Sequence, residues 1–119
     1  MLIRKSFTRE LRAEGFAVTA VANGQEAIDE VENSRYDVVI TDLNMPVVDG
    51  FGVLRAVKKL APQTCVVILT GFDDIGAAID ALRLGADEFT LKPCEIDELV
   101  FRIRRCLRKK SPSAAGRPE

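Results

Sequence analysis

Asp42, Thr70 and Lys92 are the side chains in this sequence most capable of chemistry, and each stands at the end of a short apolar segment. A carboxylate can act as a nucleophile and carry an acyl phosphate. An ammonium group can pair with phosphoryl oxygens, and a hydroxyl group can donate a further hydrogen bond to them. The three residue types therefore predict phosphoryl chemistry, if the fold brings the segment ends together.

Each of the three residues also has an ordinary interpretation. An aspartate after a strand is often only a helix cap. Thr70 is a β-branched residue of the kind that strands favour, and Lys92 precedes Pro93 and can be a solvated turn residue. The phosphoryl interpretation is favoured because all three occur in one chain, each after a strand-like segment.

The elements that would position these residues alternate between two kinds of segment. Strand-like runs rich in β-branched or apolar residues occupy 16–21, 37–41, 65–70 and 88–91. A first helix is predicted over 2–14, because Ile3, Phe7 and Leu11 recur four residues apart. Further helices are predicted after Asn23, up to Leu60, from Gly71 to Gly85 and after Pro93.

This alternation predicts an α/β fold, with an open and mostly parallel sheet and helices on both faces. Ligands of such sheets bind at the carboxyl ends of the strands. Because Asp42, Thr70 and Lys92 all lie at such ends, we expect the three side chains to converge at one edge of the sheet.

Composition narrows the possible functions. The 119 residues suit one domain, predicted over 1–110, and the small, polar segment 111–119 is interpreted as a tail or the start of a linker. The net charge of -1 and the absence of long apolar runs predict a cytoplasmic protein that binds neither nucleic acid nor membranes directly. No histidine is present, which excludes catalytic triads and phosphohistidine chemistry within the chain.

The cysteines give no sign of a metal site in the sequence. Cys65, Cys94 and Cys106 are widely spaced, form no CxxC pair and have no histidine to complete a zinc site. We therefore expect buried or half-buried free thiols in a reducing compartment.

Three runs of the sequence resemble a known family. YDVVITDLNMPVVDGF at 36–51, VVILTG at 66–71 and GADEFTLKP at 85–93 are similar to the receiver domain of bacterial two-component response regulators. The resemblance extends through about Lys110, with the motifs in the family's order and spacing. It implies a flavodoxin-like receiver fold and a phosphorelay function in signal transduction, without enzymatic activity of its own.

The resemblance assigns a role to each residue of the strand-end set. Asp42 matches the aspartate that accepts a phosphoryl group from a histidine kinase or phosphotransfer protein. Thr70 matches the switch hydroxyl, and Lys92 matches the lysine that pairs with the phosphoryl group. Phosphorylation would add about two negative charges, enough to bias a two-state loop or rotamer.

Four further positions match the family pattern. Phe89 matches the aromatic switch residue, and Pro93 matches a proline whose preceding peptide bond is often cis. Asn44 stands where a backbone carbonyl helps Asp42 to hold Mg²⁺. The output face would comprise the last helix, the strand before it and the preceding helix, with Phe101 near it as an outward-pointing aromatic that a partner protein could contact.

The beginning of the chain departs from the family pattern. Receivers open with an apolar strand and an acidic pair, and both are expected to be missing before the helix predicted from Leu2. Mg²⁺ binding and phosphorylation should then be weak or absent. Three explanations stay open: a truncated chain or misassigned start, a gap closed by pairing of the flanking strands or by dimerisation, and a degenerate receiver that works without phosphate.

Two other functions remain as alternatives. A phosphorylation-independent interaction module, as a monomer or a homodimer, fits the missing acidic pair, the outward-pointing Phe101 and the basic last helix. A phosphohydrolase of the haloacid dehalogenase type also uses an aspartate, a hydroxyl and a lysine. That family wants a second aspartate two residues after the first, where this chain has Asn44.

Overall fold

A computed structural model of the chain describes residues 1–4, 7–42 and 50–110. The elements follow one another as β1 (Leu2–Arg4), α1 (Thr8–Ala13), β2 (Thr19–Val21), α2 (Gly24–Asn33), β3 (Val38–Asp42), α3 (Gly50–Leu60), β4 (Cys65–Gly71), a 3₁₀ turn (Phe72–Asp74), α4 (Ile75–Arg83), β5 (Glu88–Lys92) and α5 (Ile96–Lys110). Strands and helices alternate, as the sequence pattern predicted.

The five strands form one parallel sheet in the order β2-β1-β3-β4-β5. β4 lies between β3 and β5 and is buried along its first six residues, which explains its continuous apolar run. All carboxyl ends of the strands therefore meet at one edge, called here the carboxyl edge, and all amino ends meet at the opposite amino edge.

The first strand is present, so the expectation that it is missing was wrong. Leu2 pairs with Thr19 of β2 on one side and with Val39 of β3 on the other. The helix predicted over 2–14 is correspondingly shorter and covers only Thr8–Ala13. Among the proposed explanations, direct pairing of the two flanking strands is contradicted, because β1 lies between them.

Burial explains why the helical spacing at the start of the chain was misleading. Leu2 and Ile3 are 0% and 1% exposed and belong to the cores on opposite faces of the sheet. Adjacent residues on opposite faces are the alternation of a strand. The four-residue spacing of Ile3, Phe7 and Leu11 fits a helix equally well. Only the pairing of this segment between β2 and β3 shows that it begins with a strand.

Helix boundaries elsewhere follow local chemistry. The Asn23 side chain accepts a hydrogen bond from the Glu26 backbone N–H at 3.0 Å and caps α2, the helix predicted to follow it. The Glu26 carboxylate in turn accepts a hydrogen bond from the backbone N–H of Ala22 at 2.8 Å. After α4, Gly85 has a φ of 111°, a left-handed conformation that favours glycine at a helix C-terminus.

Helices cover both faces of the sheet, as predicted. Side chains of α2, α3 and α4 pack on one face, through residues such as Val31, Leu54 and Ala81. Leu11 of α1 and Leu99 and Ile103 of α5 pack on the other. These two apolar layers fix the strands and thereby the positions of the residues at both edges.

Two further expectations can be compared with the described residues. Cys65 and Cys106 are buried, Cys94 is half-buried, and none of the three forms a disulfide bond. Among the helices of residues 1–4, 7–42 and 50–110, none is long and apolar enough to cross a membrane. The predicted tail, 111–119, lies outside the described residues.

Candidate functional site

The strand-end residues come together at the carboxyl edge. Asp42 is the last residue of β3 and is in register with Leu69 of β4. Lys92 is the last residue of β5 and is in register with Gly71 of β4. Thr70 lies between these two β4 positions. The parallel pairing of three neighbouring strands therefore places the carboxylate, the hydroxyl and the ammonium group at the same end of the sheet.

Asp42 and Lys92 form an ion pair across the end of β4. The Lys92 Nζ atom lies 2.8 Å from Asp42 Oδ1, and the two side chains are 47% and 14% exposed. The lysine is thus half in solvent while the carboxylate is mostly covered. An ion pair this accessible adds little to stability, because water screens it. The pair places a positive charge beside a carboxylate oxygen, where it can offset negative charge that develops in a reaction.

Two polar atoms at this edge have unused hydrogen-bonding capacity. Asp42 Oδ1 and Thr70 Oγ1 are buried and have no hydrogen-bond partner within the described residues. Lys92 approaches Asp42 Oδ1 at ion-pair distance but outside hydrogen-bond geometry. Buried polar atoms are rarely left without partners, and the exceptions often mark sites of chemistry or of an absent ligand.

The described residues are a poor match for a complete magnesium site. Mg²⁺ prefers near-octahedral coordination by oxygen. In the described ranges no group of three potential metal-binding side chains lies at the carboxyl edge, and Lys92 competes for the Asp42 carboxylate. Asn44, whose backbone carbonyl was the second predicted ligand, lies outside the described residues.

The other predicted residues lie on β5, directly after it and on α5. The peptide bond between Lys92 and Pro93 is cis. Phe89, on β5, is partly buried and packs against the core formed with α2, α3 and α4. Phe101 on α5 is 52% exposed, in agreement with the prediction that it points outward.

The sequence interpretation missed an apolar stripe on α4. Ile75, Ile79 and Leu82 are 43%, 45% and 38% exposed. They are spaced four and three residues apart and therefore share one side of the helix, while Ala78 and Ala81 are buried. Exposed apolar side chains that cluster commonly mark a contact surface. The helical spacing of these three residues in the sequence was the available signal.

Three cations of α5 lie close to a buried carboxylate. Glu88, at the start of β5, is 4% exposed, and its carboxylate oxygens lie 3.4, 3.0 and 3.1 Å from Arg102, Arg105 and Lys109. Hydrogen bonds to Glu98 and to Glu88 raise the pKa of Arg102, against the opposing effect of partial burial. Three of the cations on this helix thus compensate a buried carboxylate, which leaves less charge for nucleic acid.

Comparison with known proteins identifies the family. The family model of the response regulator receiver domain matches residues 1–104. The chain belongs to this family. The resemblance in the three motifs is thereby confirmed, and membership is consistent with phosphorelay signalling. The sheet with helices on both faces is the receiver fold, here with a short first strand.

Relatives and solved structures agree with this assignment. The chain is 40% identical over 100 residues to the uncharacterized transcriptional regulatory protein YkoG of Bacillus subtilis, covering 84% of this chain and 44% of that protein. It is 34% identical over 110 residues to the response regulator MprA of a Mycobacterium species, covering 92% of this chain and 48% of that protein. The chain thus spans about half the length of these relatives.

The structural similarity extends over nearly the whole fold. A response regulator receiver domain from Clostridium thermocellum superposes with a TM-score of 0.82 at 33% identity, covering 92% of this chain and 93% of that one. The receiver domain of the sensor histidine kinase PA1611 from Pseudomonas aeruginosa gives a TM-score of 0.80 at 26% identity, covering 89% and 94%. That structure contains a magnesium ion coordinated in its active-site cleft.

Proposed function

We propose that this receiver accepts a phosphoryl group on Asp42 from a histidine kinase or phosphotransfer protein, and that the modification changes protein binding at α4, β5 and α5. The observation that carries the proposal is the pair of unsatisfied atoms, Asp42 Oδ1 and Thr70 Oγ1, beside the Lys92 ammonium group 2.8 Å from Asp42. All three side chains lie at the carboxyl edge of the sheet.

The proposed transfer is a displacement at phosphorus. An Asp42 carboxylate oxygen forms a bond to phosphorus as the phosphorus–nitrogen bond of the donor phosphohistidine breaks, and the imidazole keeps the electron pair. The product is an acyl phosphate. Lys92 then pairs with phosphoryl oxygens rather than with the carboxylate, offsetting charge that develops during the transfer.

Thr70 supplies the readout of the modification in this proposal. Its buried hydroxyl has no hydrogen-bond partner among the described residues, so a phosphoryl oxygen would be its first acceptor. A movement of Thr70 would shift β4 and the paired strand β5. Thr70 is in register with Leu91, and Ile68 is in register with Phe89. Phe89 is the aromatic side chain expected to respond.

The output surface is proposed to combine the α4 stripe with Phe101. Ile75, Ile79 and Leu82 offer an apolar contact area on α4, and Phe101 adds an exposed aromatic side chain on α5. Such residues suit a protein partner better than nucleic acid. The ion pairs of Glu88 with Arg102 and Arg105 join β5 to α5, the helix that carries Phe101.

Weak magnesium binding is part of the proposal. β1 is followed in the sequence by Lys5 and Ser6, so neither residue adds a carboxylate to Asp42. A single carboxylate that is already paired with Lys92 should hold Mg²⁺ loosely. We therefore expect phosphorylation that is slow and that needs a high magnesium concentration.

Intact-mass measurement after incubation with acetyl phosphate and Mg²⁺ tests the proposal. The wild-type chain should gain one phosphoryl group that hydroxylamine removes, and Asp42→Asn should gain none. Asp37→Asn is the matched control, because this exposed aspartate precedes the same strand at its other end. Uptake that survives in Asp42→Asn would refute the assigned acceptor.

The second candidate function is a phosphorylation-independent interaction module. The exposed α4 stripe favours it, because apolar contact at such a surface needs no phosphate. The same experiment separates the two candidates if light scattering accompanies it. A folded chain that gains no phosphoryl group at any magnesium concentration, yet forms a stable dimer, would replace the switch by this module.

A further inference from the structure

A second cluster of reactive side chains lies at the amino edge of the sheet. Cys65 is the first residue of β4, Asp87 immediately precedes β5, and Cys106 lies in the C-terminal half of α5. One ligand atom from each, two sulfurs and a carboxylate oxygen, lie within 4.8 Å of one another. No other group of three such ligands occurs in the described parts of the chain.

The cluster has the composition of a site for a borderline divalent metal ion. Two thiolates and a carboxylate are ligands that Zn²⁺ accepts. Tetrahedral coordination at a zinc–sulfur distance of about 2.3 Å places ligand atoms roughly 3.8 Å apart. Ligand atoms that already lie within 4.8 Å of one another need move by only about an ångström to reach this arrangement.

The surroundings of Asp87 resemble the outer shell of a metal site. Asp87 Oδ2 accepts hydrogen bonds from the Lys58 ammonium group and from the Val66 backbone N–H, both at 2.8 Å. Lys58 also donates to the backbone carbonyl of Thr64 at 3.3 Å, which fixes its position. Carboxylate ligands are usually oriented by such outer contacts. Asp87 is thereby held in one orientation against the two cysteines.

Charge balance supports a divalent ion. Two thiolates and the Asp87 carboxylate carry three negative charges, and a divalent cation together with the Lys58 ammonium group neutralises all of them. This matters because Cys65 and Cys106 are 0% and 1% exposed, and an uncompensated charge there would be costly. The neighbouring Cys65 thiol and then burial raise the pKa of the Cys106 thiol, so the metal must displace its proton.

We propose that Cys65, Asp87 and Cys106 bind one zinc-class divalent ion that fastens α5 to β4 and β5 at the amino edge. Each thiol releases its proton to solvent as its sulfur–metal bond forms. Three protein ligands leave one coordination position, which a water molecule can fill from the side of Asp87, whose side chain is 17% exposed. The site lies at the opposite end of the sheet from Asp42 and is independent of the phosphoryl proposal.

Cobalt titration of the full chain tests this site, because Co²⁺ reports sulfur ligation by a near-ultraviolet charge-transfer band and tetrahedral geometry by its visible bands. The wild-type chain, kept reduced and without oxygen, should develop both with one ion bound per chain, and Zn²⁺ should displace them. Cys65→Ser and Cys106→Ser should each lose the charge-transfer intensity of one thiolate and weaken binding. Lys58→Met should weaken binding about ten-fold or more, because the Asp87 carboxylate would lose a hydrogen bond that orients it.

Cys94→Ser provides the matched control. Cys94 is the half-buried third thiol of the chain and does not belong to the cluster, so its loss should leave the spectrum and the affinity unchanged. Circular dichroism establishes that each variant is folded. A folded wild-type chain that shows no charge-transfer band, or a band lost only in Cys94→Ser, would overturn the proposal, and the wild-type result alone decides if a variant fails to fold.

Discussion

The polar side chains at the two edges of the sheet differ in their hydrogen bonding. At the carboxyl edge, Asp42 Oδ1 and Thr70 Oγ1 are buried without a hydrogen-bond partner in the described residues. At the amino edge, Asp87 Oδ2 accepts two hydrogen bonds and Thr64 Oγ1 donates to the backbone carbonyl of Tyr36 at 2.7 Å. Both edges are formed by the same strands, so the difference lies in the side chains.

The difference distinguishes an edge whose buried polar atoms lack hydrogen-bond partners from an edge whose polar groups are held by hydrogen bonds within the fold. A group whose hydrogen bonds are made within the fold stabilises that fold. A buried group without a partner reduces stability but is prepared for one, as is common at functional sites. The carboxyl edge should therefore tolerate substitutions that abolish function, whereas the amino edge should lose stability when its groups are removed.

The largest expected difference is between the two aspartates. Asp87→Ala removes the acceptor of the Val66 N–H and the Lys58 ammonium group and should lower the free energy of unfolding by about 1–3 kcal/mol. Asp42→Ala removes a carboxylate whose contact among the described residues is a solvent-accessible ion pair with Lys92, and it should change this free energy by less than about 1 kcal/mol. Urea denaturation with a chelator present measures both.

The two free energies can be compared if both variants have the same urea m-value as the wild-type chain. A changed m-value would indicate an altered denatured or native state. If Asp42→Ala destabilised the chain as much as Asp87→Ala, the functional assignment of the edges would lose its basis. If Asp87→Ala were neutral, the hydrogen bonds to Asp87 would not support the amino edge.

The residues that meet at the carboxyl edge could be predicted from the sequence, because the signal for each of them is local. Asp42, Thr70 and Lys92 each follow a recognisable strand, and parallel pairing alone brings the three ends together. The first strand was mistaken for a helix because its three residues carry too short a pattern. Its evidence is tertiary: the burial of Leu2 and Ile3 between two neighbouring strands.

The amino-edge cluster could not be predicted because its members are far apart in the sequence. Cys65, Asp87 and Cys106 belong to three different elements and match no short spacing rule. Only the packing of α5 against β4 brings the two thiols together. The buried Glu88 was missed for a similar reason, since its partners Arg102 and Arg105 lie on that same helix.

A smaller effect is expected from two matched threonine substitutions. Thr64 and Thr70 are 5% and 2% exposed, and valine preserves the shape of both. Thr64→Val should cost about 1 kcal/mol, because it leaves the carbonyl of Tyr36 without its donor. Thr70→Val removes a hydroxyl with no described partner and should be neutral or stabilising by up to about 1 kcal/mol. Thermal and urea unfolding of the pair give the comparison, and equal losses in both variants would contradict it.

The smallest expected effect concerns Tyr36, which precedes β3 at the amino edge and donates a hydrogen bond to Glu30 Oε1. Burial and then this hydrogen bond raise the pKa of the Tyr36 hydroxyl above its ordinary value of 10.0. A raised pKa in the folded state means that the stabilisation is complete below the unfolded pKa and is lost as the pH rises from there through the folded pKa.

Tyr36→Phe should therefore cost less than about 1 kcal/mol at neutral pH and should remove part of the alkaline loss of stability. Urea unfolding of both chains between about pH 8 and about pH 11 measures the difference, because lysines and cysteines titrate alike in both and cancel. The wild-type advantage should shrink above about pH 10. Parallel curves across this range would mean that the hydroxyl titrates alike in the folded and unfolded chains, and that Tyr36 is not one of the satisfied polar groups that distinguish the amino edge.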